Sequence, residues 1–131
     1  MRNPLNAQLF RRAAFILSLT LLLLAPSFAG VEIVEIGNVQ LTKTLGGVVA
    51  DPSDAPLAHV QVIEVTSDWH TTIRSTMTDT EGRWSLPQVP KQRIYFLRFI
   101  TKQCCFNELR CRVKLNKRKG KELRISLPLS T

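Results

Sequence analysis

Apolar and polar residues alternate with a period of two in the last third of the chain. In segments 109–115 and 122–129, every second residue is apolar and the residues between them are mostly polar or charged. A third segment, 93–101, places three large side chains on one face: Tyr95, Leu97 and Phe99. This pattern is typical of strands that pack one face on a core and turn the other to water. No apolar stripe with helical spacing follows residue 30, so the sequence predicts an all-β fold.

Clusters of turn-forming residues divide the chain into short strands. The segments 51–54 (DPSD) and 79–82 (DTEG) each separate two runs rich in β-branched or apolar residues. We interpret the basic segment 116–121 (NKRKGK) as a hairpin loop that joins the last two strands. About seven short strands at this spacing predict an antiparallel β-sandwich.

The first 29 residues are typical of a cleavable signal peptide. Three arginines precede an apolar run over residues 13–25, and Pro26 and the small-residue site Ser27-Phe28-Ala29 follow it. That run of 13 residues is shorter than the roughly 20 that a membrane-spanning helix needs. We therefore expect a signal-peptide helix over 1–29, cleavage near Ala29, and export to the periplasm or the extracellular space. An uncleaved membrane anchor is the alternative.

Charge is distributed unevenly over residues 30–131. Segment 30–90 has three basic and eight acidic residues, whereas segment 91–131 has twelve basic and two acidic residues. Such a basic half attracts anionic polymers or membrane surfaces, although a charged strand face also serves simply to keep a protein soluble. The candidate basic patch consists of Lys117, Arg118, Lys119, Lys121 and Arg124.

Two stretches resemble the carboxypeptidase regulatory-like domain family: 46–62 (GGVVADPSDAPLAHVQV) and 78–99 (TDTEGRWSLPQVPKQRIYFLRF). The resemblance implies a transthyretin-like (prealbumin-like) antiparallel β-sandwich of about seven strands. It covers residues 45–131 as one domain and leaves 30–44 as an N-terminal extension and candidate edge strand. Domains similar to these occur attached to exported peptidases, glycan-active proteins and outer-membrane receptors.

The residues of the family pattern are expected to shape turns. Asp79 can accept hydrogen bonds from backbone amides of its own turn, and Gly82 can supply a positive φ. Three positions depart from the pattern, because Asp54, His59 and Gln92 stand where such domains often have glycine. The backbone at these positions must therefore form its turns without glycine.

No catalytic constellation is visible in the sequence. It lacks an H-E-x-x-H zinc motif, a G-x-S-x-G elbow and a P-loop. Transthyretin-like hydrolases of 5-hydroxyisourate end in Y-R-G-S, whereas this chain ends in PLST. We therefore expect no enzymatic activity, no cofactor and no metal site, and a small hydrolase is the least favoured function.

Three cysteines lie in the exported part: Cys104, Cys105 and Cys111. An oxidising compartment favours a disulfide. Adjacent cysteines seldom pair, since consecutive Cα atoms are about 3.8 Å apart and bridged ones usually 4.4–6.8 Å. We therefore expect a bridge from Cys111 to Cys104 or Cys105. The alternatives are three unpaired thiols or, less favoured, a cysteine-based metal site.

The favoured function is that of an exported, non-catalytic binding or accessory module of the cell envelope, which recognises a polysaccharide or a protein partner. Trp69 and His70 in the polar stretch 67–71 are candidate ligand contacts, since a loop tryptophan can stack on a sugar ring. The alternative is electrostatic association of the basic half with anionic envelope surfaces, including weak contact with a membrane surface. Nucleic acid is not an expected partner, because export separates the chain from it.

Overall fold

A computed structural model describes residues 32–130. It contains eight strands and, within that range, no helix, which confirms the predicted all-β class. The strands are β1 (Ile33–Glu35), β2 (Gln40–Ala50), β3 (Gln61–Val65), β4 (Thr72–Met77), β5 (Arg83–Ser85), β6 (Ile94–Ile100), β7 (Glu108–Leu115) and β8 (Lys121–Ser126). Over the described range, no segment forms a helix of the length and apolarity that crossing a membrane requires. The predicted signal-peptide helix and its cleavage site lie outside the described residues.

The strands form one sheet in the order β4-β3-β6-β7-β2-β5, with β1 added on β7 and β8 added on β2. The two end strands, β4 and β5, come into contact, so that the sheet nearly closes on itself. Four strand pairs are antiparallel, but β1–β7, β2–β7 and β2–β8 are parallel. The prediction of a purely antiparallel arrangement is therefore wrong. Alternation specifies which face of a strand is buried and carries no information about the direction of its neighbours.

Strand β2 is long enough to pair in parallel with two other strands. Its first residues pair with the end of β7, and its second half pairs with β8. β7 and β8 therefore follow one another along β2, and segment 116–121 is not the predicted hairpin loop. Gly120 closes the loop between β7 and β8 by donating its N–H to the Asn116 carbonyl at 2.8 Å. A Cβ at Gly120 would lie 2.3 Å from the Thr42 carbonyl carbon, so only glycine fits there.

The expected domain boundary at Leu45 falls inside β2. Residues 32–44 belong to the same compact unit as the rest of the described chain. β1 pairs with β7 at Glu35 and Arg110, and the start of β2 pairs with β7 at Gln40 and Val113. The segment predicted as an N-terminal extension is thus part of the sheet.

The predicted apolar faces of β6, β7 and β8 form the core. Tyr95, Leu97 and Phe99 are each 0% exposed. Leu97 lies opposite Cys111, and Phe99 contacts Trp84 edge-to-face with ring centroids 5.6 Å apart. Periodicity therefore identified the inward side chains of these strands correctly.

The cysteines pair differently from the expectation. Cys104 and Cys105, which are exposed in the connection after β6, form a disulfide with each other. Cys111 is a free thiol, completely buried on the inner face of β7, so the predicted bridge from Cys111 is not formed. Loss of hydration in the core raises the pKa of the Cys111 thiol to about 12, which keeps it protonated and unreactive.

The turn predicted at 79–82 is confirmed. One oxygen of Asp79 accepts the backbone N–H groups of Glu81 and Arg83, each at 2.9 Å, and Gly82 has a φ of 74°. Asp51 organises the earlier turn in the same way, accepting the N–H groups of Ser53 and Ala55. The short polar side chains thus hold both turns closed without contributing a reactive group.

Two of the positions at which similar domains often have glycine adopt a glycine-like backbone here, with φ of 69° at Asp54 and 59° at His59. Left-handed backbone costs an L-residue about 1–2 kcal/mol, and glycine avoids this cost. Part of that gain is offset, because glycine loses more backbone conformational entropy on folding than other residues. We therefore expect His59→Gly to raise the free energy of unfolding by about 0.5–1 kcal/mol in urea titrations. The control is His59→Ala, which keeps the Cβ. Equal stability of the two variants would contradict this explanation.

Candidate anion-binding groove

A groove of about 980 Å³ lies at the end of the sheet where β6 begins and β7 ends. Ile94 and Lys114 are opposite each other in the β6–β7 ladder, so the segments before β6 and after β7 meet at this end. Thr42 lies opposite Leu115, so Lys43, the next residue of β2, reaches the same end of the sheet. The groove is lined by six basic side chains and no acidic one: Lys43, Lys91, Arg93, Lys114, Lys117 and Arg118.

Segment 114–118 forms the first wall. The N–H of Leu115 donates to the Arg93 carbonyl at 2.9 Å, and this hydrogen bond joins segment 114–118 to segment 88–93 across the groove. The side-chain oxygen of Asn116 accepts the N–H groups of Arg118 and Lys119, each at 3.0 Å. Asn116 therefore fixes the turn that presents Lys117 and Arg118 to the groove.

Segment 88–93 forms the second wall, and a buried tyrosine holds it. The hydroxyl of Tyr95 accepts the N–H of Val89 at 3.0 Å and donates to the Gln92 carbonyl at 3.2 Å. Lys91 sits at the tip of this loop with a φ of 68°. A side chain in the core thus determines the shape of a loop at the surface.

A buried ion pair supports the same wall. Glu64 of β3 is only 1% exposed, and its carboxylate accepts the Nε of Arg74 on β4 at 2.7 Å. The other carboxylate oxygen lies 3.4 Å from Nε2 of Gln92. This ion pair was not predicted from the sequence. The sequence nevertheless contains an indication of it, because Glu64 follows Val60 and Val62 at alternate, inward-facing positions. A charged side chain at such a position needs a buried partner.

The groove cations form no ion pair with any acidic side chain that the structure describes. In residues 32–130 the ion pairs are Arg74–Glu64, Arg83 with Glu81 and Glu122, Arg98–Glu108 and Arg124–Asp54. None of them involves a groove residue. Six like charges around one concave surface produce a positive potential that favours a bound anion.

The predicted basic patch is divided by the fold. Lys117 and Arg118 line the groove, whereas Lys119, Lys121 and Arg124 do not. Arg124 lies farther along β8, with its guanidinium 3.4 Å from the Asp54 carboxylate. The four other groove cations were missed because they come from three separate segments: Lys43, Lys91, Arg93 and Lys114. Only the strand pairing brings those segments together.

Trp69 and His70 lie outside this groove. The Trp69 ring packs edge-to-face on Phe96 with centroids 5.3 Å apart, and the Arg110 guanidinium lies 5.4 Å from its centroid. His70 is exposed, and its N–H donates to Asp68. The hydroxyl of Thr66 and this N–H both lower the pKa of the Asp68 carboxyl. The structure therefore assigns Trp69 a packing role on the outer sheet face, and ligand contact by either residue stays a prediction.

No family model, curated protein or solved structure matches the chain. Among residues 32–130, no three His, Cys, Asp or Glu side chains are grouped so that they could hold a metal ion. The basic groove is therefore the feature of the described residues that bears most directly on function.

Proposed function

We propose that the chain is an exported, non-catalytic binding module of the cell envelope that holds an acidic polysaccharide in its basic groove. The observation that carries the proposal is the set of six cations around one cavity that have no acidic partner within residues 32–130. The signal-like segment 1–29 supports export, because its order of charged, apolar and small residues suits secretion.

The proposed fold is the transthyretin-like sandwich of carboxypeptidase regulatory-like domains. Its support is the Asp79 turn and the positive φ values at Asp54 and His59, where the family often has glycine. In such a module the strands supply a rigid frame and the loops at one end supply the binding residues. The groove is built from loops and strand termini in this way.

The shape of the site favours a polymer over a flat surface. A concave groove between segments 88–93 and 114–118 can surround a chain of charged sugars, whereas a bilayer would contact only the loop tips. The side chains of Lys91, Arg93, Lys114, Lys117 and Arg118 are exposed, so each ion pair contributes about 0.2–1 kcal/mol. Five together contribute about 1–5 kcal/mol, and about 4 kcal/mol corresponds to a dissociation constant on the order of 1 mM. Electrostatic association with anionic lipid is the second candidate, supported by the same charges.

Calorimetric titration of residues 30–131 with polygalacturonate, with dextran and with anionic lipid vesicles tests the proposal. We expect the acidic polymer to bind at low salt, and binding to weaken as salt screens the exposed charges. Dextran, which is neutral, is expected not to bind. Vesicles that bind more tightly than polygalacturonate would favour the membrane alternative, and failure of both anions would overturn the proposal.

A further inference from the structure

Two neighbouring cysteines in the connection between β6 and β7 form an exposed disulfide. Cys104 and Cys105 are bonded to each other, and both residues are exposed. A thiolate must reach a disulfide sulfur to exchange with it, so exposure determines which disulfides are open to thiols. Segment 101–106 (TKQCCF) contains one charged residue, the cation Lys102, and no acidic residue that would repel an incoming thiolate. The pair is therefore placed where an external thiol can attack it.

The third cysteine takes no part in this chemistry. Cys111 is 0% exposed on the inner face of β7, and burial raises the pKa of its thiol to about 12. Because the thiolate is the attacking species, Cys111 does not exchange with the exposed pair. Reduction and reoxidation are therefore confined to Cys104 and Cys105.

The disulfide fixes the backbone of Cys105. The two sulfurs close a ring that contains the peptide bond between the cysteines, and the N–Cα bond of Cys105 belongs to this ring. The disulfide therefore restricts the φ torsion of Cys105 directly, and this φ is 86°. Such a value is uncommon for a residue that has a Cβ. Opening the disulfide allows Cys105 to return to a negative φ.

The backbone of this connection holds the segment that follows β8. The carbonyl of Cys105 accepts the N–H of Ser130 at 2.8 Å, and the N–H of Asn107 donates to the Pro128 carbonyl at 2.8 Å. A change of φ at Cys105 turns its carbonyl away from Ser130. The redox state of the disulfide is thus coupled to the attachment of segment 128–130.

Segment 128–130 is held through the same connection and not through the core. Leu129 is 51% exposed and forms an isolated antiparallel bridge with Phe106. Leu127, by contrast, is 0% exposed, and its N–H donates to the last residue of β2 at 2.9 Å. A change at Cys105 therefore affects segment 128–130 and leaves Leu127 in place.

We propose that the Cys104–Cys105 disulfide is a redox-active site that accepts two electrons from an external dithiol, and that its reduction releases segment 128–130. One thiolate of the dithiol attacks a sulfur of the pair, and the bond between the cysteines breaks. The cysteine that leaves as a thiolate takes up a proton. The second thiolate of the dithiol then attacks the dithiol's own sulfur in the mixed disulfide. This step frees the other cysteine, which is also protonated, and the dithiol departs as a disulfide. None of these residues lines the basic groove, so the inference does not depend on the proposed polysaccharide function.

The first measurement is the intact mass of residues 30–131, purified in air without a reductant, before and after treatment with dithiothreitol under native conditions. We expect the mass to rise by about 2 Da, because one disulfide becomes two thiols. Iodoacetamide is then expected to modify Cys104 and Cys105 and to leave Cys111 unmodified. Free thiols at the pair before treatment, or a disulfide that dithiothreitol leaves intact, would overturn the proposal.

Amide hydrogen exchange in the two redox forms measures the release. We expect exchange at Ser130 and Asn107 to become about tenfold faster or more on reduction, while Leu127 keeps its protection. The matched variant combines Cys104→Ser with Cys105→Ser. It cannot form the disulfide and should exchange at the reduced rate with and without dithiothreitol. Unchanged exchange at Ser130 on reduction, or slow exchange in this variant, would show that the disulfide does not hold the segment.

Discussion

Replacing Arg74 with methionine is expected to lower the free energy of unfolding by about 3–5 kcal/mol. The Glu64 carboxylate is 1% exposed, and Arg74 is its only ion-pair partner among the described residues. Methionine preserves much of the arginine volume, so the loss reflects an unpaired buried charge more than a cavity. A domain of this size has a total stability of about 5–15 kcal/mol, so the variant should be close to its unfolding threshold at room temperature.

Two further variants separate the charge effect from packing. Arg83→Met removes an exposed arginine that lies 3.5 Å from Glu81, and we expect a change within about 0.5 kcal/mol. Glu64→Leu combined with Arg74→Met should recover most of the loss, because apolar pairs often replace buried ion pairs at little cost. Urea unfolding measures all three. A loss for Arg74→Met no greater than that for Arg83→Met would contradict a buried pair.

Reversing two charges of the basic groove, with Lys91→Glu and Lys117→Glu together, is expected to weaken polygalacturonate binding by about 30- to 100-fold at low salt. Each reversal removes an attraction and adds a repulsion, about 1–1.5 kcal/mol per site, and 1.4 kcal/mol corresponds to a factor of ten. Both side chains are exposed on loops, so the fold should be unaffected.

The matched control reverses Lys119 and Lys121, which lie next to the groove but do not line it. This pair changes the net charge by the same amount, so any weakening that it causes measures the long-range field alone. We expect a loss of about fivefold or less. An equal loss for both pairs would show that overall charge, and not the groove, holds the polymer.

The sequence was most informative where structure depends on neighbouring residues. Alternation identified the buried faces around Leu97 and Cys111, and the turn chemistry of Asp79 and Gly82 followed from residue type. The positive φ at His59 occurs at a position where the domains that the sequence resembles often have glycine. These features depend on local sterics and on hydrogen bonds within a few residues.

The sequence was least informative where structure depends on distant pairing. The parallel neighbours of β2 and the assembly of Lys43 with Lys91 and Lys117 arise from contacts between remote segments. Counting basic residues along the chain therefore found only the part of the groove that is contiguous in sequence. The extra strand β1 was expected only as a candidate edge, because its short pattern does not specify a partner.

A chemical-shift map of ¹⁵N-labelled residues 30–131 titrated with a short oligogalacturonate tests directly whether the basic groove binds the polymer. We expect the shifts to concentrate in segments 88–93 and 114–118 and at Lys43, and to disappear at high salt. Shifts concentrated instead at Trp69 and His70, and persisting at high salt, would contradict a basic binding groove and would place the ligand site at the loop between β3 and β4.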